Sequence, residues 1–259
     1  MTRTPPVPGD WVTGRSARYH YRALGPTEPD ADMSGVPVVL VHGLGVSSAY
    51  FARLQPLLAA RRRVYAPDLP GFGRTSPRPR LTLDTLELAG MLRDWADACG
   101  IGRMHVVGHS LGGPVAVAFA RLHPERVARL VLVSSIIGRT GPQTPSQTWG
   151  LLRDFLREPR DLFAVLMPDY VRAGLRRIVL TDIRADGEDT VASLAHVVAP
   201  TLIVRGTRDP LVSRTAVGQL RAVAPQARYH EVPDAPHVVQ WRHAEPLAAV
   251  INAFLDEDG

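Results

Sequence analysis

Residues 108–113 read Gly-His-Ser-Leu-Gly-Gly; they directly follow the apolar run 104–107 and precede the small, apolar stretch 114–120. A strand that ends in G-x-S-x-G and passes at once into a helix has to turn a sharp corner. Ser110 stands at the apex, its Oγ lifted clear of the sheet and within reach of a carbonyl group. Gly108 and Gly112 flank it because side chains there would collide across the turn. Pro114 fits the first helical turn, whose N–H groups have no intrahelical acceptor. A bare G-x-S-x-G is common by chance. One set between an apolar strand and a small-residue helix is far more specific, and Ser110 is the candidate nucleophile.

Around this corner, strands and helices alternate. Residues 11–12 and 17–21 suggest an opening strand pair, and 36–41 is a continuous apolar strand suited to the middle of a parallel sheet. A helix at about 48–61, a strand at 64–67 and the loop 68–74 follow. Thr82 is expected to cap an amphipathic helix whose stripe is Leu88, Leu92, Trp95 and Cys99, closed by Gly100. After the strand at 104–107 come a helix at 111 to about 122 and a strand at 130–133. Residues 138–198 then break the pattern: they are helical and rich in large apolar side chains. The sheet resumes at 201–205, followed by a helix at about 213–223, a strand at about 227–232 and a terminal helix at about 244–255. The expected fold is α/β, a mainly parallel twisted sheet with helices on both faces and a short helical insertion. Its parts are a core over 1–137, the insertion over 138–198 and a second core part over 199–259.

The 259 residues suffice for one such domain, and 45% apolar with 21% charged residues are ordinary globular values. The net charge of +5 does not point to nucleic acid, because the arginines are interleaved with acidic residues and form no basic arm. Arg61, Arg62 and Arg63 fall where a helix should end, a favourable place for cations. The single cysteine, Cys99, excludes an intrachain disulfide and a four-cysteine metal site, and is expected to be a buried structural thiol. The N-terminus has no apolar core of signal-peptide length and no stretch approaches the length of a membrane span, which leads to the expectation of a cytoplasmic protein.

A serine needs a base, and the base needs an orienter. In a parallel sheet, the loops at the carboxyl ends of the strands share one rim. Asp209 lies just past the strand at 201–205, and His237 just past the last strand, so both fall on the rim of Ser110 in the order Ser, Asp, His. His20, His105 and His230 lie within strands, His123 ends a helix, His243 begins one, His109 sits in the turn, and His196 is a remote reserve. Asp234, three residues before His237, is better suited to shaping that turn. The loop at 134–137 offers no carboxylate. For the oxyanion, the turn His42-Gly43-Leu44-Gly45 presents the Leu44 N–H, joined by the Leu111 N–H at the start of a helix.

Taken together, His42 to Gly45, Asp68 to Gly73, Gly108 to Gly113, Arg208 to Pro210 and the final His237 resemble the α/β-hydrolase superfamily, from about residue 16 onward. The resemblance implies a helical cap over 138–198 with a substrate pocket beneath it, and a structural role for 68–73 with Phe72 touching the pocket. It implies no metal or organic cofactor. Two features depart from the family pattern: Pro236 stands where glycine is commoner, and the cap is short, which implies an open or shallow pocket. A serine nucleophile excludes the haloalkane dehalogenase and epoxide hydrolase branches. Candidate pocket residues on the core loops are His42, Gly43, His109 and Val238. Those on the insertion are Trp149, Phe155, Phe163 and Tyr170.

The leading expectation is a serine hydrolase of the carboxylesterase or thioesterase type, acting through an acyl-enzyme on Ser110. Its partner would be a small molecule with an apolar acyl group; neither nucleic acid nor a membrane span is expected, and the oligomeric state is open. A second reading keeps Ser110, Asp209 and His237 but cleaves a carbon–carbon bond of a vinylogous diketone, or acts as a cyclase or lyase. In the resembling carbon–carbon hydrolases a cap arginine and an aromatic beside the histidine are common, places that Arg153 or Arg157 and Trp241 can fill. A third is a ligand-binding member without turnover, against which the intact Ser110, Asp209 and His237 argue.

Overall fold

The computed structural model describes residues 7–27, 35–76, 82–135, 160–185 and 190–257. Its centre is formed by β3 (Val38–Val41), β5 (Met104–His109) and β6 (Val127–Val133), in which nearly every side chain is buried. Strands covered on both faces favour apolar residues at most positions, which is why these segments are dominated by them, with His105, His109 and Arg129 as the buried exceptions. Around them lie β1 (Gly9–Thr13), β2 (Arg18–Leu24), β4 (Val64–Pro67), β7 (Thr201–Gly206) and β8 (Arg228–Val232). The order is β1-β2-β4-β3-β5-β6-β7-β8; β1 and β2 are antiparallel to their neighbours and the rest pair in parallel.

Side chains alternate between the two faces with period two. Val39, Val41 and Val106 join one apolar layer with Leu88, Leu92 and Trp95 of α2 (Thr85–Ala98) and Val115 and Phe119 of α3 (Gly112–Leu122). Val38, Leu40 and Val107 face the other way, onto Leu54 and Leu58 of α1 (Leu54–Ala59) and Leu247, Ile251 and Phe254 of the terminal helix. Between β6 and β7 the structure describes α4 (Arg160–Ala173), α5 (Leu175–Ala185) and α6 (Thr190–Ala195). Leu194 of α6 lies in the same layer as α3, together with Val217 and Leu220 of α7 (Arg214–Val223). The last stretch of the 138–198 insertion thus packs with the core. A short α8 (Val239–Arg242), which the sequence did not announce, leads into α9 (Ala244–Leu255). Among the described residues no helix is long and apolar enough to cross a membrane.

Two local expectations are corrected. The cap of α2 is Asp84, not Thr82. Asp84 accepts the Glu87 N–H at 2.8 Å and Glu87 accepts the Asp84 N–H at 2.8 Å, a reciprocal pair that Thr82 cannot make from two residues upstream. The helix expected at 48–61 is divided into a 3-10 turn at Ser48–Phe51 and α1. Its start is pinned from outside the helix, since the Ser48 N–H donates to Asp68 Oδ1 at 2.8 Å. Gly100 does close α2 with φ +69°, and burial pushes the Cys99 thiol beside it up to about 12.

Candidate active site

At the corner between β5 and α3 Ser110 has φ +55°, a conformation that costs a non-glycine residue on the order of 1–3 kcal/mol. The surroundings hold it there. A Cβ on Gly108 would lie 2.3 Å from the Gly112 carbonyl oxygen, and one on Gly112 would lie 2.1 Å from that of Val41. The Ser110 N–H donates to the Val133 carbonyl at 3.1 Å, and the Gly113 N–H to that of Ser110 at 2.9 Å.

Asp209 and His237 sit on the loops after β7 and β8, which main-chain bonds lace together: Thr207 N–H to Val232 O at 3.0 Å and Arg208 N–H to Ala235 O at 3.0 Å. Ser110 Oγ lies 3.1 Å from His237 Nε2, and His237 Nδ1 lies 3.0 Å from Asp209 Oδ2. Asp209 Oδ1 accepts from the N–H groups of Leu211 at 2.8 Å and Val212 at 3.1 Å. Burial pushes the Asp209 carboxyl upward, but His237 and these N–H donors outweigh it and hold it below the ordinary carboxylate range. An ionised Asp209 accepts from Nδ1–H, and in that tautomer the unprotonated Nε2 can take the Ser110 proton. All three residues are buried. The rival Asp234 has φ +57°, takes its place in the turn and pairs on the surface with Arg208 at 2.7 Å.

The turn after β3 lies against Ser110: a Cβ on Gly43 would be 3.2 Å from Ser110 Cβ. Leu44 N–H follows in this turn, and Leu111 N–H opens α3; among the described residues neither has an acceptor. Two such donors near one hydroxyl can hold a developing oxyanion. His42 faces away from solvent and shapes the turn. Its Nδ1–H donates to the Gly43 carbonyl at 2.8 Å and its Nε2 accepts the Leu69 N–H at 2.9 Å, while burial keeps its pKa below the usual imidazole range.

Beneath the turn lies a charge centre that the sequence did not reveal. Asp68 accepts from Ser48 N–H and from Arg74 N–H, both at 2.8 Å, and its Oδ2 is 2.8 Å from His20 Nδ1. Burial pushes this carboxyl up, and the His20 and Ser48 contacts outweigh that and bring it down to about 2. Asp68 and His20 are 48 residues apart, so no local pattern couples them. Phe72 is buried in the core with its ring edge-on to His42, 6.0 Å between centroids.

Above the site Val46, Tyr50 and Trp241 form an apolar cluster with Leu162 and Leu166 of α4; Tyr170 and Val238 pack against it. The four-residue step from Leu162 to Leu166 is the signal that could have found this face of α4. Tyr170 also closes on the turn at 42–45, where a Cβ on Gly45 would be 2.7 Å from its Cε1. Arg53 stacks over the Trp241 ring at 4.9 Å and pairs with Asp161 of α4. Phe163 is half-buried on the same helix and is not a member of this cluster. Trp149, Arg153, Phe155 and Arg157 lie outside the described residues.

Residues 36–177 match the family described as alpha/beta hydrolase fold. The chain is 33% identical, over 92% of its length and 91% of the relative's, to 2-hydroxy-6-oxononadienedioate/2-hydroxy-6-oxononatrienedioate hydrolase 2 of Pseudomonas putida. A solved meta-cleavage product hydrolase, CumD, superposes with a TM-score of 0.76 at 24% identity, covering 96% of this chain and 98% of the other. The enol-lactonase of Burkholderia xenovorans LB400 superposes with a TM-score of 0.80 at 23% identity, covering 96% and 100%. With most of its length matched by the family and by a full-length relative, the chain belongs to the alpha/beta hydrolase fold family and is a hydrolase.

Proposed function

We propose that this hydrolase cleaves the carbon–carbon bond beside a ketone in an oxo acid of the 2-hydroxy-6-oxo-dienoate class, with Ser110 as nucleophile, His237 as base and Asp209 as its orienter. The observation that carries the chemistry is the chain of two hydrogen bonds from Ser110 Oγ through His237 to Asp209, set beside the two N–H groups of Leu44 and Leu111. The choice of bond is supported by the full-length likeness to hydrolases of 2-hydroxy-6-oxo dioates, which contain no ester to hydrolyse. It displaces ester cleavage, the expectation drawn from the residues alone, to second place.

In the proposed reaction Ser110 Oγ adds to the ketone carbon as His237 Nε2 takes its proton, and the oxyanion is held by Leu44 and Leu111 N–H. The carbonyl then re-forms. With the dienol first converted to its 2-oxo tautomer, by transfer of the hydroxyl proton to the carbon next to the ketone, the carbon–carbon bond breaks, its electron pair is delocalised as a dienolate onto the 2-oxo group, and His237 returns the proton to that carbon. The acyl group remains on Ser110 until a water, deprotonated by His237, releases it as a carboxylic acid. Ester or thioester cleavage uses the same steps with oxygen or sulfur as the leaving atom, and it is this second reading, with an apolar acyl part, that the apolar cluster of Val46, Tyr50, Leu162, Leu166 and Trp241 would suit.

The test compares kcat/KM for 2-hydroxy-6-oxononadienedioate with that for p-nitrophenyl esters of increasing acyl length, using Ser110→Ala as the blank. A clear preference for the dioate, lost in the variant, is the expected result. A preference for one ester length would give the reaction to the second reading. Equal rates for wild type and Ser110→Ala on all substrates would refute both.

A further inference from the structure

The residue between Gly108 and Ser110 is left open by the G-x-S-x-G pattern, and here it is His109, whose side chain does not face open solvent. It is 2% exposed and lies under Tyr50, edge to face with 5.3 Å between centroids, and against the His237 ring at 5.1 Å. Its Nε2 is 3.0 Å from the main-chain carbonyl oxygen of His237. A carbonyl only accepts, so Nε2 carries the hydrogen and Nδ1 is the lone-pair nitrogen. Among the described residues Nδ1 is buried without a hydrogen-bond partner, on the side of Gly43, where a Cβ would be 3.5 Å away. Burial, reinforced by the neighbouring His237, pushes the His109 pKa down to about 3, so the ring stays neutral when His237 takes up a proton.

We propose that His109 is a positioning residue for the base: by donating Nε2–H to the His237 carbonyl it ties the histidine loop to the strand end that carries the nucleophile. The tie is direct, because His109 and Ser110 are consecutive residues at the end of β5, while His237 reaches the site from a loop after β8. Any drift of that loop lengthens the 3.1 Å contact between His237 Nε2 and Ser110 Oγ, and a misplacement of about 1 Å at a reacting pair can cost on the order of a hundredfold in rate. A charged donor at this place would oppose the imidazolium that forms on His237. A neutral imidazole supplies the bond without that penalty.

The inference rests on the reading of Ser110 and His237 as nucleophile and base, and the experiment separates the two. The rate of covalent labelling by a fluorophosphonate is measured for wild type, Ser110→Ala, His109→Phe and His109→Gln, with kcat and KM for a short p-nitrophenyl ester beside it. Phe keeps the ring and removes the donor; Gln places an amide N–H near the former Nε2. The expected outcome is labelling and kcat lowered about tenfold in His109→Phe, with KM and the pH midpoint unchanged, and recovery to within about threefold of wild type in His109→Gln. Wild-type labelling in a folded His109→Phe, or a His109→Gln as slow as His109→Phe, overturns the proposal. Labelling of Ser110→Ala at the wild-type rate would instead bring down the reading of the nucleophile. If His109→Phe does not fold, nitrogen NMR of the wild-type imidazoles decides. An Nε2–H tautomer that does not titrate between about pH 5 and about pH 8 is expected, and an Nδ1–H tautomer or a titration in that range overturns the proposal.

Discussion

Replacing Asp68 by Asn tests whether a buried charge holds the turn at 42–45 from below. The carboxylate serves Ser48 N–H on Oδ1 and Arg74 N–H and His20 on Oδ2, so an amide must turn its NH2 toward at least one donor, whichever way it is oriented. The depression of its pKa from 3.8 to about 2 corresponds to about 2 kcal/mol of native-state stabilisation at neutral pH, at 1.36 kcal/mol per unit. An orphaned buried donor adds about 1–3 kcal/mol, so Asp68→Asn should be less stable than wild type by about 3–5 kcal/mol at pH 7. The folded pKa is lowered, so the charge-linked part is present above the unfolded pKa and is lost as pH falls toward the folded one. The gap between the two proteins should therefore narrow by about 1 kcal/mol at pH 3 and by about 2 kcal/mol near pH 2. Urea titrations at neutral and acid pH measure it. A variant as stable as wild type at pH 7, or a gap that does not change with pH, would refute the assignment of Asp68 as an ionised anchor.

Three further outcomes follow from the same geometry. Gly45→Ala places a Cβ 2.7 Å from Tyr170 Cε1 at a position with φ +78°, and should lower kcat/KM. Tyr170→Ala in the same chain should restore part of the loss, because the clash disappears while the backbone strain remains; strictly additive effects in the double-mutant cycle would contradict the contact. Asp209→Asn should lower kcat by on the order of 10⁴-fold with the fold retained by circular dichroism, since His237 loses the partner that fixes its tautomer. Cys99, pushed up to about 12 by burial, should resist iodoacetamide in the native protein at about pH 8 and react once urea unfolds the chain; rapid native alkylation would show a thiol far more acidic than its surroundings allow.

The parts of the site that could be read from the sequence are those fixed locally or by strand ends. Ser110 was legible because Gly108, Gly112 and the small residues of α3 satisfy every demand of the turn within a few positions. Asp209 and His237 were legible because a parallel sheet puts the carboxyl ends of β5, β7 and β8 on one rim, so their place after a strand sufficed. The terminal helix emerged at 244–255 because Leu247, Ile251 and Leu255 form an unbroken stripe. Other features depend on partners distant in the chain. The start of the turn at 48–51 is pinned by a bond to Asp68, the charge of Asp68 is held by His20, and the role of His109 rests on a carbonyl 128 residues away. The large apolar residues of α4 signalled a buried face without saying which. Leu162 and Leu166 turned toward Trp241, whereas Phe163 did not enter that cluster.

These contacts divide the site into two parts with different tolerance. Ser110, Asp209 and the turn at 42–45 are held by close backbone approaches, main-chain bonds and the buried Asp68, all belonging to the sheet and its loops. The strain at Ser110 persists because every neighbour of the corner is itself fixed, and a strained residue in a yielding environment would relax. The apolar cluster over the site is different: Val46, Tyr50 and Trp241 come from the core, but Leu162 and Leu166 come from α4, which meets the core also where Tyr170 approaches Gly45 and through the Arg53–Asp161 pair, one half-exposed and the other exposed. A surface pair of this kind holds a helix only weakly. Substitutions on α4 should therefore alter which acyl group is accepted, read as changes in KM and in the preferred chain length. Fluorophosphonate labelling of Ser110 should stay close to wild type in those variants. A change in α4 that abolished labelling without unfolding the protein would mean that α4 sets the geometry of Ser110 and His237 themselves, and the division between the two parts would fall.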